Sequence, residues 1–357
     1  MLRYATGLLL LMLLVCGVSC RDSEPESSVS FRVFRGGYSA PLDTILFRFS
    51  PDARDPLKGS FLATYNQSTG VVQSLIHPVV QSLIHPVIQS QIHPLNPGPV
   101  DVAWVPGRPA FAVTHGECIS FFERDRDGSA YGARALPCPL GPAYGACSWS
   151  PDGRWLAVAC VDLNDPSWTR KLGVYDLQRE KFVLTDVVAE FQRPFWKNDA
   201  TLLVMRGDEA VEVTVGSEPP KITATIPVGK GADWFYGMYD GQALVLRGKV
   251  VCLGVQRLIE LEEMRISRVM PTDTTLFAAA SATNLAAFDH QGREIARIDP
   301  GREIEFGSIG EDPSTVYALA GNSLVEVSVE DGQLQVRDLC DLGEEMRESP
   351  QRRNVAM

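Results

Sequence analysis

The sequence predicts an all-β fold of seven repeated sheet units, and three observations predict it. First, a strand ending on a large apolar residue and followed by a Pro, Asp or Gly turn recurs about every 40 residues, the cadence of a repeat array. Second, a compact apolar run follows each turn, as expected of a strand buried on both faces. Third, no segment of 30–340 carries a long, capped pattern of helical period.

The large residues are Phe49, Trp104, Trp149, Trp196, Tyr239, Met270 and Ile309. The clearest unit reads Trp149-Ser150-Pro151-Asp152-Gly153-Arg154-Trp155-Leu156-Ala157-Val158. Its Pro151-Asp152-Gly153 is turn chemistry: Pro presets φ, Asp bonds backbone two residues on, and Gly accepts positive φ. Apolar residues on both sides make it a hairpin. Weaker copies begin at Phe49-Ser50-Pro51-Asp52, Trp104-Val105-Pro106-Gly107, Trp196-Lys197-Asn198-Asp199, Tyr239-Asp240-Gly241, Met270-Pro271-Thr272-Asp273 and Ile309-Gly310-Glu311-Asp312. The second-strand runs start with Phe61-Leu62-Ala63, Phe111-Ala112-Val113, Leu156-Ala157-Val158, Leu202-Leu203-Val204, Ala243-Leu244-Val245, Leu276-Phe277-Ala278 and Val316-Tyr317-Ala318.

Third strands are expected at 118–122, 172–177, 210–215, 250–255, 284–288 and 323–329, and fourth strands at 134–136, 182–185, 222–226, 258–261, 294–298 and 334–336. Four short antiparallel strands per unit make the blade of a β-propeller. The predicted fold is therefore a seven-bladed β-propeller over residues 30–342. A ring must close to avoid exposed edges, and Ser30–Phe34, ahead of the first unit, is expected to pair near Leu334–Val336 as a closing strand.

The run from Ser150 to Ala157 resembles the core of bacterial WD40-like propeller repeats, including those of TolB-like proteins. Tyr175-Asp176 and Phe288-Asp289 sit where such repeats often carry Trp-Asp. The Gly-His pair that opens eukaryotic WD40 repeats is absent, so the resemblance implies a fold and confers no activity.

The N-terminus implies export. Residues 1–19 read as a signal peptide, with Arg3 in the positive region and an apolar core, Leu8–Val15, too short to span a bilayer. Gly17-Val18-Ser19-Cys20 resembles a bacterial lipobox, which makes Cys20 the expected lipid-bearing residue. An ordinary cleavage that leaves Cys20 as a thiol is the alternative. Residues 20–29 are polar, acidic and Pro-containing, as a flexible tether would be. Residues 343–357 are charged and aperiodic, and are expected to form a loose tail.

The formal net charge is −11, and removing residues 1–19, which carry Arg3 and no acid, makes it −12. Such a chain gains nothing from the phosphate electrostatics of nucleic-acid binding. Beyond Cys20 lie Cys118, Cys138, Cys147, Cys160, Cys252 and Cys340, none with metal or redox spacing. Cys147, Cys160 and Cys252 fall in apolar strand patterns where buried thiols are common. If an exported fold forms a bridge, Cys118–Cys138 is the first choice, across strands of one blade.

Three local features carry the site expectations. An octapeptide, Val71-Val-Gln-Ser-Leu-Ile-His-Pro78, is repeated through Pro94 and brings His77, His85 and His93 to even spacing. A histidine metal site is the sharp reading. A surplus duplication with one copy serving as a strand is the favoured one, since no Cys, Asp or Glu stands close by in sequence. Glu123–Gly128 looks briefly like a calcium loop, but Arg134 occupies the position of the bidentate acid; a polar hairpin turn is expected instead. The 162–168 loop holds Asp162, Asn164, Asp165 and Trp168, a polar and aromatic group suited to recognition at the mouth of a propeller channel.

No catalytic residues are assigned. There is no Gly-x-Ser-x-Gly elbow, His115 and His290 have no partner in sequence, and Gly229-Lys230-Gly231 lacks phosphate-loop spacing. The expected function is that of a non-enzymatic, membrane-anchored lipoprotein. It faces the periplasm or cell exterior, and its propeller binds envelope proteins without any cofactor. A small-molecule or glycan sensor at the channel mouth is the alternative, followed by a propeller hydrolase or lyase.

Overall fold

The computed structural model describes residues 36–342, apart from 40–42, 50–60, 75–100, 115–117, 125–130, 138–141, 163–166, 261–265, 281–283 and the positions 168, 191, 217–218, 240, 249, 255, 290, 311 and 313. The described strands fall into seven four-stranded antiparallel sheets. The first holds β1 (Gly36–Ser39), β2 (Thr44–Phe49), β3 (Phe61–Asn66) and β4 (Val71–Ser74). The second holds β5 (Asp101–Trp104), β6 (Ala110–Thr114), β7 (Ile119–Arg124) and β8 (Tyr131–Ala135). The third holds β9 (Pro142–Trp149), β10 (Trp155–Asp162), β11 (Arg170–Asp176) and β12 (Lys181–Val188). The fourth holds β13 (Phe195–Asn198), β14 (Thr201–Arg206), β15 (Glu209–Thr214) and β16 (Lys221–Pro227). The fifth holds β17 (Trp234–Tyr239), β18 (Gln242–Arg247), β19 (Val250–Leu253) and β20 (Gln256–Glu260). The sixth holds β21 (Ile266–Pro271), β22 (Leu276–Ala280), β23 (Leu285–Phe288) and β24 (Glu294–Ile298). The last holds β25 (Ile304–Ile309), β26 (Thr315–Ala320), β27 (Ser323–Glu330) and β28 (Gln333–Asp341).

Each sheet takes four consecutive strands, and the first strand of each packs against the first strand of its neighbours, β25 against β1 included. The fold is an all-β propeller of four-stranded antiparallel blades. Two faces follow from the topology. The entry face carries the start of every innermost strand and the connections from second to third strands. The hairpin face carries the first-to-second and third-to-fourth turns.

The core lies between blades. Side chains alternate across a strand, so neighbours in β6 serve different partners. Ala110 and Ala112 join the third blade's Tyr144, Cys147 and Trp149, while Phe111 and Val113 pack with Trp104 and the first blade's Leu46. In β14, Leu202 and Val204 face the third blade, and Leu203 and Met205 face the fifth. This two-sided burial is why the second-strand runs are apolar without interruption. The outer strands of the third to seventh blades each carry a register shift against their neighbour. Such bulges increase twist and blunt an open edge.

One unit departs from the expected register. Phe49 ends the second strand of the first blade rather than its first, and Phe61–Ala63 opens the third. The innermost strand is Gly36-Gly37-Tyr38-Ser39, whose small and polar residues give no apolar signal. Val71–Ser74, the start of the first octapeptide, is the outer strand of that blade. The last blade obtains its four strands from residues 304–341, and Ser30–Phe34 lies outside the described residues. Cys147, Cys160 and Cys252 are buried in β9, β10 and β19 as expected, whereas Cys138 lies outside the described residues.

Candidate functional site

The best-formed repeat shows what its residues do. Ser150 Oγ donates to Asp152 Oδ1 at 2.5 Å and accepts the Trp155 N–H at 2.9 Å. The Arg154 N–H adds a bond to Asp152 Oδ1 at 3.0 Å. Gly153 takes φ 68°, and a Cβ there would stand 2.7 Å from Val105 Cγ1 of the second blade. The motif therefore builds its own hairpin and presses it against a neighbour.

Asp176, at the end of β11, ties the other turn of that blade. Its Oδ1 accepts the N–H groups of Gln178 and Arg179 at 3.0 and 3.3 Å, and Oδ2 receives Arg154 Nη2 at 2.9 Å. Burial pushes the carboxyl up, but the Arg154 guanidinium and the two backbone donors outweigh it and hold it below the usual carboxylate range. Asp289 takes the same part in the sixth blade, accepting the N–H groups of Gln291 and Arg293, each at 2.9 Å. The aromatic–Asp pairs are turn clamps.

At the entry face, Asp162 ends β10 opposite Pro142 of β9. Asn164, Asp165 and Trp168 lie outside the described residues, as do Cys20, His77, His85, His93, His115 and His290. Among the described residues no group of three or more His, Cys, Asp or Glu is placed to hold a metal ion. No described helix is long and apolar enough to cross a membrane.

The same face holds a polar network that sequence reasoning missed. Arg193, between the third and fourth blades, reaches back to the second blade. Its Nη2 lies 2.8 Å from Asp101 Oδ1 and 3.1 Å from the Val102 carbonyl. Asp101 Oδ2 accepts the Cys147 N–H of the third blade at 2.9 Å. Burial opposes the charge on Arg193, and the Asp101 carboxylate overcomes it and keeps the guanidinium protonated. Gln192 reaches the other way, its Oε1 accepting the Phe235 N–H of the fifth blade at 2.8 Å. One connection thus bonds to blades on both sides. The only signal in the sequence is a charged residue before Pro194; its partner stands 92 positions earlier. Trp234, at the start of β17, is 41% exposed on this face.

Below the rim, the large repeat residues bridge blades. The Trp149 indole N–H donates to the Ala103 carbonyl at 3.1 Å, and Trp196 to the Ser148 carbonyl at 3.1 Å. Each bonds the residue just before the preceding blade's tryptophan. On the hairpin face, a cleft of about 740 Å³ opens between the first and last blades, lined by Asp43, Gln67, Asp312, Tyr317, Glu326 and Arg337. Gln67 Nε2 donates to the Tyr317 hydroxyl across it at 2.6 Å. Burial is the main reason that the Tyr317 hydroxyl is pushed up to about 12.

Solved structures share this fold. Over 90% of the chain and 99% of the other, it is similar at 11% identity and TM-score 0.55 to the β-propeller domain of the Trilobed protease from Pyrococcus furiosus, which has an open velcro topology. It is similar at 13% identity and TM-score 0.54 to a prolyl endopeptidase structure, with 87% of this chain covering 50% of that one. Hsv2 of Kluyvelomyces marxianus matches at 10% identity and TM-score 0.50, over 87% of this chain and all of the other. At these identities the likeness is one of fold. No protein-family model matches the chain. No curated protein matches it either. The propeller's entry face, with Asp162, the Asp101–Arg193 network and Trp234, is the candidate interaction site.

Proposed function

We propose that this chain is an exported lipoprotein, held to a membrane through Cys20, whose propeller acts as a non-enzymatic protein-binding module facing the periplasm or exterior. In this reading the seven sheets are the blades of one ring, and Ser30–Phe34 runs along the edge of β28 as a closing strand. Residues 20–29 hold the propeller clear of the bilayer, and residues 343–357 form a free tail. The partner is an envelope protein; neither nucleic acid nor a cofactor is involved.

The observation that carries the reading is Trp234. A large aromatic ring left 41% exposed at the entry to an innermost strand is the kind of anchor that protein interfaces use. It shares its face with the end of β10 at Asp162. The buried carboxylate of this face, Asp101, is engaged by Arg193 and the Cys147 N–H, which favours architecture over acid–base work.

The test is site-specific photocrosslinking on intact cells. A crosslinking residue in place of Trp234 should give a discrete adduct with one envelope protein, and the same residue in place of Asp312, on the hairpin face, should not. Adducts from the hairpin face alone would overturn the assignment. A fatty-acid analogue should label the wild type and leave Cys20→Ala unlabelled.

A further inference from the structure

A second cleft, of about 460 Å³, lies on the hairpin face between the second and third blades. Three guanidiniums line it: Arg108 from the β5–β6 turn, Arg134 from β8 and Arg154 from the β9–β10 turn. Phe121 and Leu177 supply apolar wall. The lining carboxylates are Glu123 and Asp152, and just outside the lining Glu180 and Asp176 pair with Arg134 and Arg154, so the cleft is a cluster of ion pairs with no excess charge.

The carboxylates are already committed. Asp152 Oδ1 is occupied by Ser150 Oγ and the Arg154 N–H, and Glu123 is paired with Arg108 Nη2. Arg154 gives Nε and Nη2 to Asp176, whereas Arg108 and Arg134 are not saturated. Arg134 uses Nη1 alone, on Glu180 at 2.9 Å, and Arg108 uses Nη2 alone. Each guanidinium has five donors in a planar fork, and among the described residues neither side chain has another hydrogen-bond acceptor. Two of the three are also held in place by rings: Arg134 sits 5.2 Å from the centroid of Phe121, and Arg154 sits 4.5 Å from that of Trp155. Stacked, planar forks with spare donors suit a planar oxyanion. The apolar walls favour an organic one, and the volume falls within the range of small-ligand sites.

We propose that this cleft binds a carboxylate-bearing ligand, either an acidic peptide segment or a free organic polyacid, through Arg108, Arg134 and Arg154. The site lies on the face opposite the one assigned above to the protein partner, so either assignment can fail without the other.

The test is fluorescence anisotropy of a labelled Glu-Leu-Asp-Glu peptide on the full chain in detergent. Saturable binding that weakens with added salt is expected. Replacing Arg108→Gln and Arg134→Gln together should weaken it about tenfold or more. Arg108→Lys with Arg134→Lys keeps the charge and should recover part of the affinity, which separates the site from a general loss of folding. Arg302→Gln, on the last blade, should change nothing. Citrate that displaces the peptide would identify a free polyacid as the occupant; peptide binding that survives citrate would identify the segment. Absence of peptide and citrate binding, binding of inorganic phosphate alone, or an equal loss in Arg302→Gln would overturn the proposal.

Discussion

Asp176 links a two-residue signature to a pH dependence. Its carboxyl titrates below the ordinary range when folded. The stability it contributes is therefore complete above the unfolded value, about 4, and drains away as pH falls through the lower folded value. Asp176→Asn should cost about 1–3 kcal/mol near neutrality, because Arg154 and two backbone donors lose a charged acceptor. It should also flatten the fall of the urea midpoint below about pH 4. A variant with the wild-type acid slope would show that the clamp adds nothing. The Ser150–Trp155 turn was legible because the bonds of Ser150 and Asp152 that shape it are local. Arg193 was not, because its partner lies two blades back.

Strands are decided by alternation and by the few places where alternation breaks. β17 shifts register between Phe235 and Gly237. Gly237 takes φ 112°, and a Cβ there would lie 2.4 Å from the Phe195 ring of the fourth blade. Gly241 also has positive φ, 71°, but faces open space. Gly237→Ala should cost about 2–4 kcal/mol, for backbone strain and overpacking together. Gly241→Ala should cost about 1 kcal/mol, for strain alone. Chemical denaturation of the two variants separates the terms, and equal losses would remove the contact from the account. Most expected strands stand within a few residues of the observed ones, β24 at the predicted bounds. The first blade slipped by one strand because its innermost strand carries no apolar residue but Tyr38.

At the scale of the whole molecule, the propeller depends on contacts between blades far apart in sequence. Gln67 meets Tyr317, and the Tyr65 hydroxyl donates to the Leu339 carbonyl at 3.4 Å, both across the junction of first and last blades. Burial raises the Tyr317 hydroxyl to about 12, against about 10 when unfolded. Its contribution is thus complete below the unfolded value and is lost as pH rises through the folded one. Tyr65 is raised too, chiefly by burial, and acts in the same sense. Tyr317→Phe should cost about 0.5–1.5 kcal/mol at neutral pH by removing the acceptor of Gln67. It should also shrink the alkaline loss of stability between about pH 10 and 12. Denaturation midpoints across that range, beside ultraviolet titration of tyrosinate, check both. An unchanged alkaline limb would place the loss elsewhere.

By itself the sequence determined the repeat, the strand order within most units and the turn chemistry, because these rest on neighbours a few residues apart and on two-sided burial of each second strand. Only the tertiary structure decided which carboxylate meets which guanidinium. It brought Arg193 to Asp101, Gln67 to Tyr317, and Arg108, Arg134 and Arg154 to one cleft. Those meetings depend on how adjacent blades pack, and the spacing of residues along one chain does not encode that packing.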